Sequence, residues 1–149
     1  MLLKLPPIEK IPEAFTAIAD ERVQCQGNEA IVLSSDLSKQ YHIHWEDHIY
    51  YSDDSATYWQ GYPGYPIIAV LMLQGKLTYN IAICNKFKGI EWNSLNQKFK
   101  RDYGAAFRYV LSDILHCSNL DQNIIQAEIS KIFKELENLD ILCKRATRR

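Results

Sequence analysis

A chain of 149 residues has the length of one ordinary domain, and 47% hydrophobic against 23% charged residues excludes an extended disordered polymer. A net charge of -1 singles out neither nucleic acid nor a membrane surface as partner. Four scattered cysteines, Cys25, Cys84, Cys117 and Cys143, contain no C-x-x-C pair, which argues against a small disulfide scaffold and predicts free thiols in a reducing compartment.

The opening residues lack the continuous apolar region and small-residue cleavage site of a signal peptide, so a cytoplasmic location is expected. Charge is unevenly spread: residues 1–60 hold 4 Lys+Arg against 10 Asp+Glu, net -6, while residues 61–149 hold 13 against 8, net +5. Such halves can attract one another within a fold or mark a partner surface. No Pro/Gly/Ser-rich linker and no internal repeat divides the chain, which predicts a single domain over residues 1–149.

Residues 12–20 predict a short helix, because Ile11, Phe15, Ile18 and Ala19 recur at three- and four-residue spacing, with Glu13, Asp20 and Glu21 off that stripe. Residues 23–25 and 29–34 predict strands either side of the turn Gln26-Gly27-Asn28. A hairpin follows over residues 39–45 and 48–52, rich in Tyr, Ile, Trp and His, with Glu46-Asp47 as a two-residue turn. That register pairs Trp45 with His48, His44 with Ile49, Ile43 with Tyr50 and His42 with Tyr51. Alternation then puts Tyr41, Ile43, Trp45, His48 and Tyr50 on a core-like face and His42, His44, Ile49, Tyr51 and Asp53 on the other.

Residues 56–65 read as a loop whose two Gly-Tyr-Pro turns deliver the chain into residues 67–73, apolar at every position. A helix apolar all round is a buried one, with Pro66 suited to its first position and Gly75 to its stop. The run is too short for a bilayer, which takes about 20 apolar residues. Beyond Gly75 the pattern is helical. Thr78 or Asn80 opens a short helix ending near Phe87; Asn93 caps a long one over residues 94–117, with Gly104 in its middle; and a last helix after Ser118 or Asn119 carries the seam Ile125, Ile129, Ile132, Leu136, Leu139 and Cys143. The expected fold is α+β: an N-terminal helix and an antiparallel meander of three or four strands packed on a C-terminal bundle of about four helices.

Three surfaces carry candidate chemistry. Tyr50, Tyr51, Tyr58, Trp59, Tyr62 and Tyr65 crowd six rings into 16 residues among Gly and Pro. Large rings with polar tips on a pinned loop suit ligand or partner contact, and Tyr51, Tyr58, Trp59, Tyr62 and Tyr65 form the leading binding surface. The blander account makes them a cover for the buried helix. Lys86, Lys88, Lys98, Lys100, Arg101 and Arg108, relieved only by Glu91 and Asp102, offer a nucleic-acid alternative, with a basic tail of Lys144, Arg145, Arg148 and Arg149, though no recognition motif accompanies them. His42, His44 and Asp53 on one strand face make a chemically sensible metal set and a third, enzymatic reading.

No Gly-rich phosphate loop, G-x-S-x-G, H-E-x-x-H or dinucleotide fingerprint is present, so no cofactor is expected. Cys84 or Cys117 with His116 or a strand histidine is a weak nucleophile pairing, since helix-borne cysteines beside apolar neighbours read as core. The residues favour a small binding or interaction protein over an enzyme, with a protein partner or self-association through the last helix ahead of nucleic acid, and no membrane partner.

Overall fold

The computed structural model describes residues 2–147; Arg148 and Arg149 of the basic tail lie outside the described residues. The fold is α+β. The N-terminal helix α1 (Lys10–Ala19) leads into a meander of β1 (Val23–Gln26), β2 (Glu29–Leu33), β3 (Gln40–Glu46) and β4 (Ile49–Ser52), each antiparallel to the next. A single π-turn (Ala56–Gln60) then feeds α2 (Tyr65–Leu73), α3 (Ile81–Lys86), α4 (Trp92–Lys98), α5 (Tyr103–Cys117) and α6 (Gln122–Asn138). A fifth strand, β5 (Leu142–Arg145), joins the sheet parallel to β4.

The apolar run forms α2 with Pro66 in its first turn, and Gly75 follows its end at φ 78°, a left-handed stop that suits glycine. Residues Pro66 to Met72 are buried, whereas Leu73 reaches solvent. The helix packs on α1 on one side and on β1, β3 and β4 on the other. The C-terminal bundle does not enclose α2 on that first side: α1 takes the place, and α3 and α6 pack on α1.

α1 differs from its predicted one-sided stripe, for all ten of its residues are buried, Glu13 included. Its polar side chains fall every third residue, at Lys10, Glu13 and Thr16, and each finds a partner. Thr16 Oγ1 accepts from Trp92 Nε1 at 2.8 Å and donates to the Phe87 carbonyl at 2.7 Å, tying α1 to the ends of α3 and α4.

Three further predictions are corrected. The β3–β4 hairpin turns at Asp47-His48, with Asp47 at φ 53°, so Trp45 pairs with Tyr50, His44 with Tyr51 and Ile43 with Ser52. The slip of two residues preserves both faces, because side chains alternate with period two; His48 alone leaves its assigned face for the turn. The expected long helix over residues 94–117 is two helices, broken at Lys100 and Arg101, which take φ 53° and 65°. Asp102 starts the second by accepting from the Ala105 N–H at 3.0 Å, so Gly104 stands in a first turn. The cap of the first is Glu91, not Asn93: Glu91 accepts from the Ser94 N–H at 3.1 Å. Finally, α6 ends at Asn138, and Cys143 belongs to β5, where the Leu142 N–H donates to the His48 carbonyl and the Ala146 N–H to the Ser52 carbonyl, both at 2.9 Å.

Thr16→Val keeps the shape of α1 but leaves the buried Trp92 Nε1–H without its acceptor. Stranding a buried donor costs about 1–3 kcal/mol, so urea unfolding should show a loss of that size with an unchanged m-value.

Candidate functional site

A cleft of about 580 Å³ opens between the π-turn loop, the N-terminus of α1, α4 and the start of α5. Its floor is ionic. Lys10 Nζ lies 3.4 Å from Glu13 Oε2, one helical turn along α1, and 4.4 Å from the centre of the Tyr103 ring. Burial opposes the Lys10 ammonium, but Glu13, Tyr103 and Tyr62 together outweigh it and hold its pKa above the ordinary 10.5. Burial pushes the Glu13 carboxyl up from its ordinary 4.5, against Lys10 and a hydrogen bond with Asn96.

Asp54 is the second buried carboxyl, 3% exposed. Ser52 Oγ donates to its Oδ1 and the Thr57 N–H donates to its Oδ2 at 3.2 Å, so it closes the turn between β4 and the π-turn. Burial pushes its pKa up from 3.8, against these hydrogen bonds. Gly64 packs directly on that carboxylate: a Cβ there would lie 2.2 Å from Asp54 Oδ2. The Gly64 N–H donates to Thr57 Oγ1 at 3.3 Å, so one carboxylate and one hydroxyl clamp the entry to α2.

Rings wall the cleft. Trp59, Tyr62 and Tyr65 come from the loop, and Tyr41 from β3. Trp59 is 67% exposed, with the Tyr58 ring edge-on 4.8 Å away. Tyr65 is half-buried, its hydroxyl accepting from Arg22 Nη1 at 3.4 Å, and burial raises its pKa in spite of that guanidinium. A small inner chamber of about 40 Å³ shares Glu13, Tyr41, Tyr65 and Asn96 with the cleft and adds Arg22, room for a water or two. Asn93, Asn96, Gln97 and Gln60 supply amides able to donate and accept. Charge, aromatic rings and amides thus face one concavity, a more polar lining than the mostly apolar walls of ordinary ligand pockets.

The five candidate loop and strand residues divide. Trp59, Tyr62 and Tyr65 line the cleft. Tyr51 stacks on His44 at 4.6 Å on the opposite sheet face, and Tyr58 stands behind Trp59 with the Arg145 guanidinium 5.3 Å from its ring.

The metal candidates share a strand face, with His42 Nδ1 3.3 Å from Asp53 Oδ2, but His44 is engaged by Tyr51. Among the described residues no three His, Cys, Asp or Glu side chains form a group able to hold a metal ion. The basic candidates scatter: Lys86 and Lys88 flank buried Phe87, Lys98 lies 5.1 Å from the Tyr109 ring, Lys100 occupies the left-handed turn, Arg101 lines the cleft, and Arg108 lines a separate shallow hollow along α5. Burial pushes the Cys84 thiol up to about 12, with Glu128 adding to the shift, a poor setting for a nucleophile.

Sequence reasoning missed the ionic floor. Its signal was the three-residue spacing of Lys10, Glu13 and Thr16 on an otherwise apolar helix, a pattern that ordinarily marks a solvated face. A family model described as "Uncharacterised conserved protein UCP014422" matches residues 3–142. The chain belongs to that family. Its matched span takes in every residue of the cleft and ends at the first residue of β5. No curated protein and no solved structure matches the chain. Among the described residues, no helix is long and apolar enough to cross a membrane.

Gly64→Ala forces a methyl group into the Asp54 carboxylate. Overpacking of this kind costs about 1–3 kcal/mol, and chemical denaturation should report it. The two carboxyls also set a pH dependence. Each ionises at lower pH unfolded than folded, so their stabilising contribution is complete below about pH 4 and declines as pH rises through the raised folded values. Glu13→Gln should flatten that decline in urea midpoints taken from about pH 4 to about pH 8. Asp36 acts oppositely at the acid end. Hydrogen bonds from Ser38 and Ser34 lower it to about 2, so its contribution fades only as pH falls from 3.8 towards that value.

Proposed function

We propose that this protein is a binding protein that takes a small polar ligand in the cleft, with Trp59, Tyr62 and Tyr65 as its ring wall. One observation carries the reading: the aromatic loop and a buried Lys10–Glu13 pair, with Tyr65 and Lys10 55 residues apart in the chain, converge on one cavity of about 580 Å³. Cavities of about 300–1,000 Å³ are the ordinary size for small-molecule sites. A buried ion pair contributes little net stability, and perturbed ionisable groups in a cleft are a mark of functional sites. Trp59 supports the reading separately, since a ring 67% exposed contributes nothing to the core.

The test is a thermal-shift screen of amino acids, sugars, nucleotides and organic acids against the wild-type chain and Trp59→Ala. A ligand at about 100 times its Kd stabilises the folded state by about 2.7 kcal/mol, which for a domain of this size raises Tm by several degrees. Trp59→Ala should keep its own Tm within a degree or two and lose most of that shift. A screen in which nothing stabilises the wild type, or in which Trp59→Ala responds as the wild type does, overturns the proposal. Concentration-dependent mass that vanishes in Trp59→Ala would assign the surface to self-association instead.

A further inference from the structure

The charges on the cleft do not balance. Both of its carboxylates are engaged within the fold, Glu13 by Lys10 and Asn96, and Asp54 by Ser52 and Thr57. Two cations of its lining, Lys39 and Arg101, are exposed and form no ion pair with any described residue. A third, Lys4, sits at the margin, its Nζ 5.4 Å from the centre of the Tyr62 ring and donating to Gln60 Oε1 at 3.2 Å.

Arg101 is also held in an unfavourable backbone conformation. It takes φ 65° directly after Lys100 at φ 53°, and the two N–H groups donate to the Asn96 carbonyl at 2.6 Å and the Gln97 carbonyl at 3.0 Å. Left-handed backbone opposes a Cβ, and glycine is the residue that fits it without penalty. An arginine there serves no need of the turn itself. Backbone strain of this kind is found at ligand clamps as well as at helix stops.

We infer that the ligand is a small organic anion, its acidic group held by Lys39 and Arg101 and its planar body resting on Trp59 and Tyr62. The inference rests on the binding reading above and adds the chemical class. Arginine suits it, because its planar fork matches carboxylate and phosphate alike. The rings supply a stacking surface indifferent to the detail of the planar group. The raised pKa of Glu13 and of Asp54 fits the same account, since burial makes both carboxyls weaker competitors for the rim cations.

Calorimetric titration with two matched pairs separates the possibilities: adenosine 5′-monophosphate against adenosine, and indole-3-acetate against indole-3-acetamide. In at least one pair the acidic member should bind about tenfold or more tightly than its neutral counterpart, as one charge-assisted hydrogen bond provides. Which pair responds tells phosphate from carboxylate. Arg101→Gln and Lys39→Gln should each erase most of that preference, and added salt should weaken it. Arg101→Gly should erase it while raising Tm, an outcome that a purely structural arginine would not give. The inference is overturned if neither acidic compound binds, if the neutral compounds bind as well as the acidic ones, or if the Arg101 and Lys39 variants bind like wild type. Tight binding of a neutral compound would leave the cleft a binding site and remove only the anion.

Discussion

The burial of α1 on every side governs the rest of the molecule. A helix with Lys10, Glu13 and Thr16 along one line cannot be enclosed by apolar groups alone, since each unpartnered polar atom would carry a desolvation penalty. Thr16 is satisfied by Trp92 and the Phe87 carbonyl, which brings the ends of α3 and α4 over the helix. Lys10 and Glu13 satisfy each other and draw in Asn96 and Tyr103. The cover over that first turn of α1 is built from the π-turn loop and α4, and they meet incompletely. The cleft is the gap they leave.

What the sequence could reveal was whatever is encoded within one element. The apolar run of α2, the stop at Gly75 and the strands β1 to β4 all rest on local periodicity or turn chemistry, and they were legible. So were the faces of the β3–β4 hairpin, because a two-residue slip leaves alternation untouched, although the turn itself moved to Asp47-His48. β5 was not legible. Leu139 and Cys143 continue the phase of the α6 seam, and the pairing that makes residues 142–145 a strand is with β4, some 90 residues earlier by the register of Ile49 with Leu142. The break between α4 and α5 was hidden in the same way, because Phe99 and Tyr103 hold helical spacing across a turn where the backbone is left-handed.

The site divides along the same line. Its ring wall was readable, since Trp59, Tyr62 and Tyr65 lie within seven residues beside Gly and Pro. Its floor and rim come from α1, the β2–β3 loop, α4 and the turn before α5, and no single window of sequence contains them. Glu13 is the clearest case: by spacing it belongs on a wet face, and only tertiary cover makes it a buried acid.

The unforeseen strand bears on the site as well. β5 packs on the π-turn, where Arg145 lies 5.3 Å from the Tyr58 ring, and Tyr58 in turn meets Trp59 edge-on. From the other side, Asp54 holds the start of the π-turn, and Gly64 is pressed against it at the entry to α2. The exposed Trp59 ring therefore stands on a loop fixed at both ends and backed by a strand. A loop fixed in this way loses little conformational freedom when a ligand arrives, so more of the contact energy survives as affinity. The same rigidity explains why so large a ring can remain in water: the fold holds it beside Tyr58 in the lining of the cleft.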